Sequence, residues 1–269
     1  MEAKVNIALE AARKGSKELL WFLDQLDKLD VIEKGPADYV TQVDVKVESI
    51  IIEELQKTFP DHNYISEEAG EIKGSSDEEE YTWIIDPLDG TTNYIHGFPY
   101  FAISIACLKK EKLQHAVVID VTRHEEYTAS RGKGCFLNDK RVRVSNRKDL
   151  KGALLSNSSH ESALDTFRHD NIATFRALYS HGLTIRRTGS AVLDIANVAA
   201  GRLDAFWGSG LKSWDLAAGA LLVQEAGGLV SNFQGENNFL KGGNIICSTT
   251  KCFKPMLQSI KPHITQIED

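Results

Sequence analysis

The segment Trp83-Ile84-Ile85-Asp86-Pro87-Leu88-Asp89-Gly90-Thr91-Thr92-Asn93 constrains this chain more than any other. Its apolar start reads as a buried strand, and the strand ends on two carboxylates three positions apart. Pro87 and Gly90 fix the turn, so both carboxylates can converge on one point. Two bare carboxylates held together are costly unless a cation neutralises them. An oxygen-only donor set suits a hard cation such as Mg2+. Gly90 lets the backbone approach a ligand closely. Thr91 and Thr92 open a short helix, whose N-terminus is an anion site. The plain alternative is a strand and turn with an aspartate cap.

Three further acidic sites fall at element ends. Glu67-Glu68 follows a short strand, Asp44 starts a helix in Thr41-Gln42-Val43-Asp44, and Asp215 sits near another helix start in Ser213-Trp214-Asp215-Leu216. Taken singly, each has an ordinary reading as a solvated loop, a helix-end charge or a cap. Taken together with the turn at Gly90, they describe adjacent metal and phosphate sites.

The chain has 269 residues, 31 Lys and Arg against 38 Asp and Glu, and a formal net charge of −7. An acidic chain is a poor general binder of nucleic acid or membrane surfaces. A phosphate-bearing ligand must then be met by local cations, backbone N–H groups or metal. With 42% hydrophobic and 26% charged residues the composition is that of a globular protein, not of a disordered or fibrous one. Cys107, Cys135, Cys247 and Cys252 form no CxxC pair and read as buried free thiols. That fits a reducing compartment. Met1-Glu2-Ala3-Lys4 leads into a charged amphipathic stretch rather than an apolar signal, and no apolar run approaches a membrane span. The expectation is a cytoplasmic protein without a membrane partner.

Apolar residues at three- and four-residue steps predict a helix from Ala3 to about Asp30, then a loop from Gly35-Pro36 to about Thr41 and a second helix ending at Pro60. Asn63–Ile65 and Tyr81–Ile85 read as strands, separated by an acidic solvated loop at Glu71–Glu80. Tyr100–Cys107, Gln114–Asp120 and Glu125–Ser130 alternate as antiparallel strands, and Asn138-Asp139 marks a hairpin turn. After about residue 150 strands and helices alternate. Strands are expected at Ala153–Ser156, Leu183–Arg186, Leu203–Trp207, Leu229–Ser231 and Asn244–Cys247. Helices are expected at Ala163–Tyr179, Ala191–Ala200, Trp214–Ala226 and Lys251–Ile260. The chain is expected to be one compact mixed α/β unit. Residues 1–150 carry the helices and an antiparallel sheet, and 151–269 complete the site. His96, His160 and His181 lack ligand spacing and read as surface or hydrogen-bonded residues.

These residues resemble the inositol monophosphatase family of Mg2+-dependent, lithium-sensitive phosphatases. One family signature is matched by Trp83–Asn93, and the second by Trp214–Gly219 through Glu225–Gly228. Asp38–Asp44 and Ser66–Glu68 match in order, so the resemblance runs from about Asn6 to Gln258. Arg186–Ala191 and Ala199–Asp204 resemble the bacterial extragenic-suppressor type. The resemblance implies a layered α-β-α-β-α sandwich. It implies two to three Mg2+ ions: the first held by Glu67, Asp86 and the Leu88 carbonyl, the second by Asp86, Asp89 and Asp215, and a weaker third near Glu67. It implies that Asp44 and Thr91 activate the attacking water, with Glu67 contributing through the ions. Gly90, Thr91 and Thr92 border the phosphate. Gly189, Ser190 and Ala191 line the alcohol, and Asp89 accepts from a substrate hydroxyl. Glu68 falls outside the ligand shell.

The implied reaction is hydrolysis of inositol 1-phosphate by metal-activated water attack. The chain has no phosphate-loop lysine motif and no nucleophilic Cys or Ser arrangement, which agrees with direct attack by water. One departure stands out. Family members acting on inositol phosphate carry a hydroxyl-binding Glu where this chain has Gly208, and Lys212 lies just before Trp214. That makes fructose 1,6-bisphosphate or a phosphorylated nucleotide (3′-phosphoadenosine 5′-phosphate or NADP) an alternative substrate. A different class of role is regulatory, in ribosomal-RNA transcription antitermination. Arg186, Arg187 and Arg202 then face a transcription-complex partner, or else make contacts within the fold. The family also implies a homodimer.

Overall fold

The computed structural model describes residues 2–28, 31–35, 38–75, 80–159, 167–180 and 182–266. Helix α1 (Ala3–Leu23) buries Val5, Ala8, Leu9, Ala12 and Leu19 along one face. It is shorter than its sequence suggested, and Leu26–Lys28 form a separate 3-10 turn. Leu29 and Asp30 lie outside the described residues. The expected loop before Thr41 is instead a hairpin of β1 (Val31–Gly35) and β2 (Asp38–Thr41), with Ile32 opposite Val40. The β-branched residues on both sides of the Gly-Pro break favour pairing over coil. Pro36 and Ala37 are not described.

Thr41 caps α2 (Gln42–Thr58), its hydroxyl accepting from the Val43 N–H at 3.1 Å. β3 (Asn63–Ser66) and β4 (Gly70–Ile72) follow, so the start of the expected acidic loop is a strand paired with β3. Residues 76–79 lie outside the described residues. β5 (Tyr81–Asp89) ends at α3 (Thr91–Ile95). The expected antiparallel run is present as β6 (Ala102–Lys109), β7 (Lys112–Asp120), β8 (Glu125–Ser130), β9 (Gly134–Leu137) and β10 (Lys140–Val142). Asn138 and Asp139 both take positive φ at the last hairpin, the conformation a tight hairpin turn demands. These strands form an eight-stranded sheet in the order β10-β9-β8-β7-β6-β5-β3-β4, with only β3 and β5 parallel.

The second sheet uses β11 (Leu154–Ser159), β13 (Thr184–Arg186), β14 (Ala205–Ser209), β15 (Leu229–Ser231) and β16 (Ile245–Ser248), in the order β13-β11-β14-β16-β15. The strand expected at Leu203 begins two residues later. Leu203 and Asp204 stay in the turn because Asn197 and Leu154 carbonyls take their N–H groups. The helix expected from Ala163 starts only at Asn171, as α4 (Asn171–Tyr179), because Asp170 caps it through the Ala173 N–H. Phe167–His169 form β12, paired with β17 (Ile264–Gln266). Residues 160–166, including His160, and His181 lie outside the described residues.

α1 and α2 cover the outer face of the first sheet. α5 (Ala191–Ala199) and α6 (Ser213–Glu225) lie between the two sheets, where nearly every residue is buried. α8 (Thr250–Ile260), which follows the short α7 (Phe239–Gly242), packs with α4 on the outer face of the second sheet through Cys252, Met256, Ile260 and Leu178. The layers therefore run α-β-α-β-α. All four cysteines are free and buried. Among the described residues no helix is long and apolar enough to cross a membrane.

Candidate metal centre

The site is built where β5 stops. Its pairing with β6 runs in register to Asp86 opposite Ser104, then slips so that Asp89 faces Ala102. Pro87 cannot donate to a ladder, so the irregularity falls where a hydrogen bond is already missing. The extra residue swings Asp89 onto the same side as Asp86. The Leu88 N–H donates to Asp86 Oδ1 at 2.9 Å and closes the turn. Gly90 then takes φ +95°, where a Cβ would lie 3.1 Å from the Tyr100 carbonyl oxygen. Glycine is required on both counts.

Asp215 arrives from the first turn of α6, in the middle layer. The Lys212 N–H donates to its Oδ2 at 2.7 Å. One carboxylate oxygen from each of Asp86, Asp89 and Asp215 lies within 4.8 Å of the others. Glu67 emerges beside them: Ser66 is opposite Ile85 in the parallel β3–β5 pair, so the next residue along each strand is Glu67 and Asp86. Burial, and then the negative charges of Glu67, Asp89 and Asp215, push the Asp86 carboxyl well above the usual range. Each of these influences opposes ionisation. A bound divalent cation reverses that balance, and an all-oxygen set of this kind fits a hard one. Asp86, Asp89, Asp215 and Glu67 are the residues that could hold it.

Asp44 is 1% exposed and stands on the other side of the Gly90 turn. The Thr41 N–H and hydroxyl donate to its Oδ2 at 2.9 and 2.5 Å, and Thr91 Oγ1 lies 3.2 Å from its Oδ1. Thr91 Oγ1 is also 3.1 Å from the Leu88 carbonyl oxygen. Burial raises Asp44 to about 6, against the lowering effect of the Thr41 hydrogen bonds. Asp89 likewise rises to about 6 through burial, opposed by hydrogen bonds from Ser190 and the backbone. Its Oδ2 accepts from the Ser190 hydroxyl and from the Val192 N–H at 2.9 Å. Thr92 and Gly189 are exposed at the rim, whereas Ser190 and Ala191 are buried. Ser190 caps α5 through the Leu193 N–H at 3.2 Å. Its side chain is thus committed to Asp89 and the helix. Asn93 joins the two halves, its amide donating to the Tyr100 and Thr188 carbonyls at 2.8 and 2.9 Å.

Two residues escaped the sequence reading. Glu48, one turn after Asp44 on α2, accepts from Ser66 and from the Glu68 N–H. Its signal was an acidic residue on the same face as Val47 and Ile51. Asp194 on α5 is raised to about 7 by burial, with Thr188 and Tyr100 hydroxyls donating to its Oδ1. Of the three arginines, Arg202 grips Glu125 at the surface with two nitrogens at 2.5 and 2.6 Å. Arg187 donates to the Ser159 carbonyl at 3.0 Å, and Arg186 is exposed. Gly208 leaves no gap. A Cβ there would lie 2.5 Å from Leu211 Cδ1 and 2.9 Å from the Ser158 carbonyl oxygen. Lys212 is exposed, and His96 is an exposed residue beyond α3.

A five-layer α/β sandwich brings carboxylates from the first sheet and from the middle helix α6 to one point, an arrangement that could hold a hard cation. The chain belongs to the inositol monophosphatase family, whose sequence model matches residues 1–265. It is 52% identical over 267 residues to the Nus factor SuhB of Pseudomonas aeruginosa, covering 98% of each chain. Among solved structures it resembles the extragenic suppressor protein SuhB of Bartonella henselae, with a TM-score of 0.90, 39% identity and coverage of 97% and 99%. It also resembles an IMPase from Thermotoga maritima, with a TM-score of 0.85, 31% identity and coverage of 97% and 98%.

Proposed function

We propose that this protein is a Mg2+-dependent phosphate-monoester hydrolase acting on inositol 1-phosphate. The convergence of Asp86, Asp89 and Asp215 within 4.8 Å carries the reading. Glu67, Asp86, Asp89, Asp215 and the Leu88 carbonyl would hold two to three ions. When bound, Mg2+ neutralises phosphoryl charge, acidifies water and stabilises the leaving alkoxide. The Gly90 and Thr91 N–H groups orient the phosphate, with Thr92 at the rim. Thr91 positions the attacking water, and Asp44 takes its proton. Burial raises the Asp44 carboxyl, which favours its acting as a base. Gly189, Ser190 and Ala191 shape the alcohol side. Family membership supports this chemistry, together with lithium sensitivity and a homodimer. A reducing, cytoplasmic setting agrees with four free buried cysteines.

The test is phosphate release from inositol 1-phosphate, fructose 1,6-bisphosphate, 3′-phosphoadenosine 5′-phosphate and NADP, each with and without EDTA. Chelator-sensitive turnover greatest on inositol 1-phosphate is expected. A preference for another phosphate keeps the mechanism and moves the substrate, as the packed Gly208 position allows. No turnover on any of them removes the proposal.

A second reading rests on the name of the Pseudomonas relative, a Nus factor. We infer a regulatory role in transcription complexes formed on ribosomal-RNA operons, independent of catalysis. Capture of elongation factors by wild type and by Asp89→Asn alike supports it. Failure of both to capture them ends it.

A further inference from the structure

We infer that Glu48 is a positioning residue for Glu67, setting the affinity of the metal centre without touching metal or substrate. This rests on the metal site proposed above. Glu48 lies on α2 and is 3% exposed. Its Oε2 accepts from the Ser66 hydroxyl and from the Glu68 N–H, the latter at 2.9 Å. Those two donors flank Glu67 on either side. Ser66 itself is fully buried. The segment 66–68 leaves β3 at Ser66, which pairs with Ile85 and Gly70. Without Glu48 the turn loses both of these side-chain contacts, and the direction of the Glu67 carboxylate is no longer fixed from that side.

The placement also explains the face of α2. Asp44 and Glu48 are four residues apart, so they lie one above the other on the same side of the helix. Asp44 is bonded to Thr41 and reaches Thr91 beyond β5, while Glu48 is bonded to the end of β3. One helix thus registers the two strand ends, β3 and β5, that carry Glu67 and Asp86. Residues that hold metal ligands in place commonly change affinity by about 10- to 100-fold when removed.

The experiment is calorimetric titration of the full chain with Mn2+, comparing wild type, Glu48→Ala, Glu48→Gln and Ser66→Ala, with melting in EDTA as the folding control. Glu48→Ala is expected to weaken binding about 10- to 100-fold. Glu48→Gln keeps an oxygen that can accept both hydrogen bonds and is expected to restore most of that loss. Ser66→Ala, which removes one of the two bonds, falls between. At saturating Mg2+ the KM for substrate should be unchanged. A folded Glu48→Ala with wild-type affinity overturns the inference, as does Glu48→Gln binding as weakly as Glu48→Ala. If Glu48→Ala does not fold, wild-type affinity in Ser66→Ala overturns it instead. If wild type itself binds no Mn2+, the metal site on which the inference rests is what fails.

Discussion

Asp86 and Asp204 are both buried carboxylates at the edge of a strand, and their surroundings are opposite. Asp204, just before β14, receives Arg147 Nε at 2.7 Å, the Ser145 hydroxyl at 2.5 Å and the Leu154 N–H at 2.9 Å. Its charge is answered within the fold. Asp86, where the β5–β6 register slips, has Glu67, Asp89 and Asp215 as the neighbouring charges that weigh most on it. The first arrangement stabilises the protein. The second gathers repulsion that a bound cation would relieve. Asp194 shows a third solution. Its Oδ2 is buried without a hydrogen-bond partner among the described residues, and burial raises its carboxyl to about 7, against the Thr188 and Tyr100 hydroxyl donors.

The sharpest way to break this contrast is to neutralise each site in turn. Asp89→Asn is expected to lower turnover by about 1,000-fold or more, since several kcal/mol of charge stabilisation are lost at about 1.4 kcal/mol per tenfold. Its melting temperature in EDTA should hold or rise, because repulsion is relieved. Asp204→Ala should do the reverse. It is expected to cost about 2 to 3 kcal/mol in urea unfolding by leaving Arg147 and buried donors unpaired, with turnover of the folded protein unchanged. Equal effects on activity would erase the distinction.

Ligand linkage comes next. Mg2+ at about 100 times its Kd should stabilise wild type by about 2.7 kcal/mol in thermal melts and leave Asp86→Asn nearly unmoved. The same shift in both would mean that the ion binds elsewhere.

Asp194 provides the pH test. Its folded-state value of about 7 lies above the ordinary 3.8, so the folded protein holds a proton that the unfolded chain releases. This group's contribution therefore falls as pH rises from about 4 to about 7 and is level above that. Asp194→Asn, measured against wild type at pH 5 and pH 8, should gain on the order of 2 kcal/mol in relative stability at the higher pH. A constant difference would mean that the carboxyl is ionised throughout.

The smallest expected effect is at the arginine that pairs within the fold. Arg202→Ala loses the Glu125 pair at the protein surface and should cost about 1 kcal/mol without altering metal affinity. A change in metal affinity would link this surface pair to the site.

Sequence periodicity was enough for α1, α2 and the antiparallel run β6–β8, because each buries one face and its apolar spacing records that face. The hairpin of β1 and β2 and the late start of α4 were not legible. The first depends on pairing across a Gly-Pro break, and the second on the Asp170 cap and on a strand partner nearly 100 residues away. Asp86, Asp89, Gly90 and Thr91 could be read directly, since one strand and one turn hold all of them, whereas the Leu88 carbonyl entered only through the family resemblance. Asp44, Glu67 and Asp215 could be named from motif order, but not brought together. Their meeting depends on the parallel β3–β5 register and on α6 lying between the sheets. Likewise Gly208 could be seen as a departure, yet only packing showed that Leu211 fills the space beside it. The sequence by itself determined which carboxylates end strands and helices, because backbone preferences act over a few residues. The tertiary structure decided which of them are answered by an arginine, which are raised by burial and which converge on one another, because burial and electrostatic repulsion depend on neighbours far away in the chain.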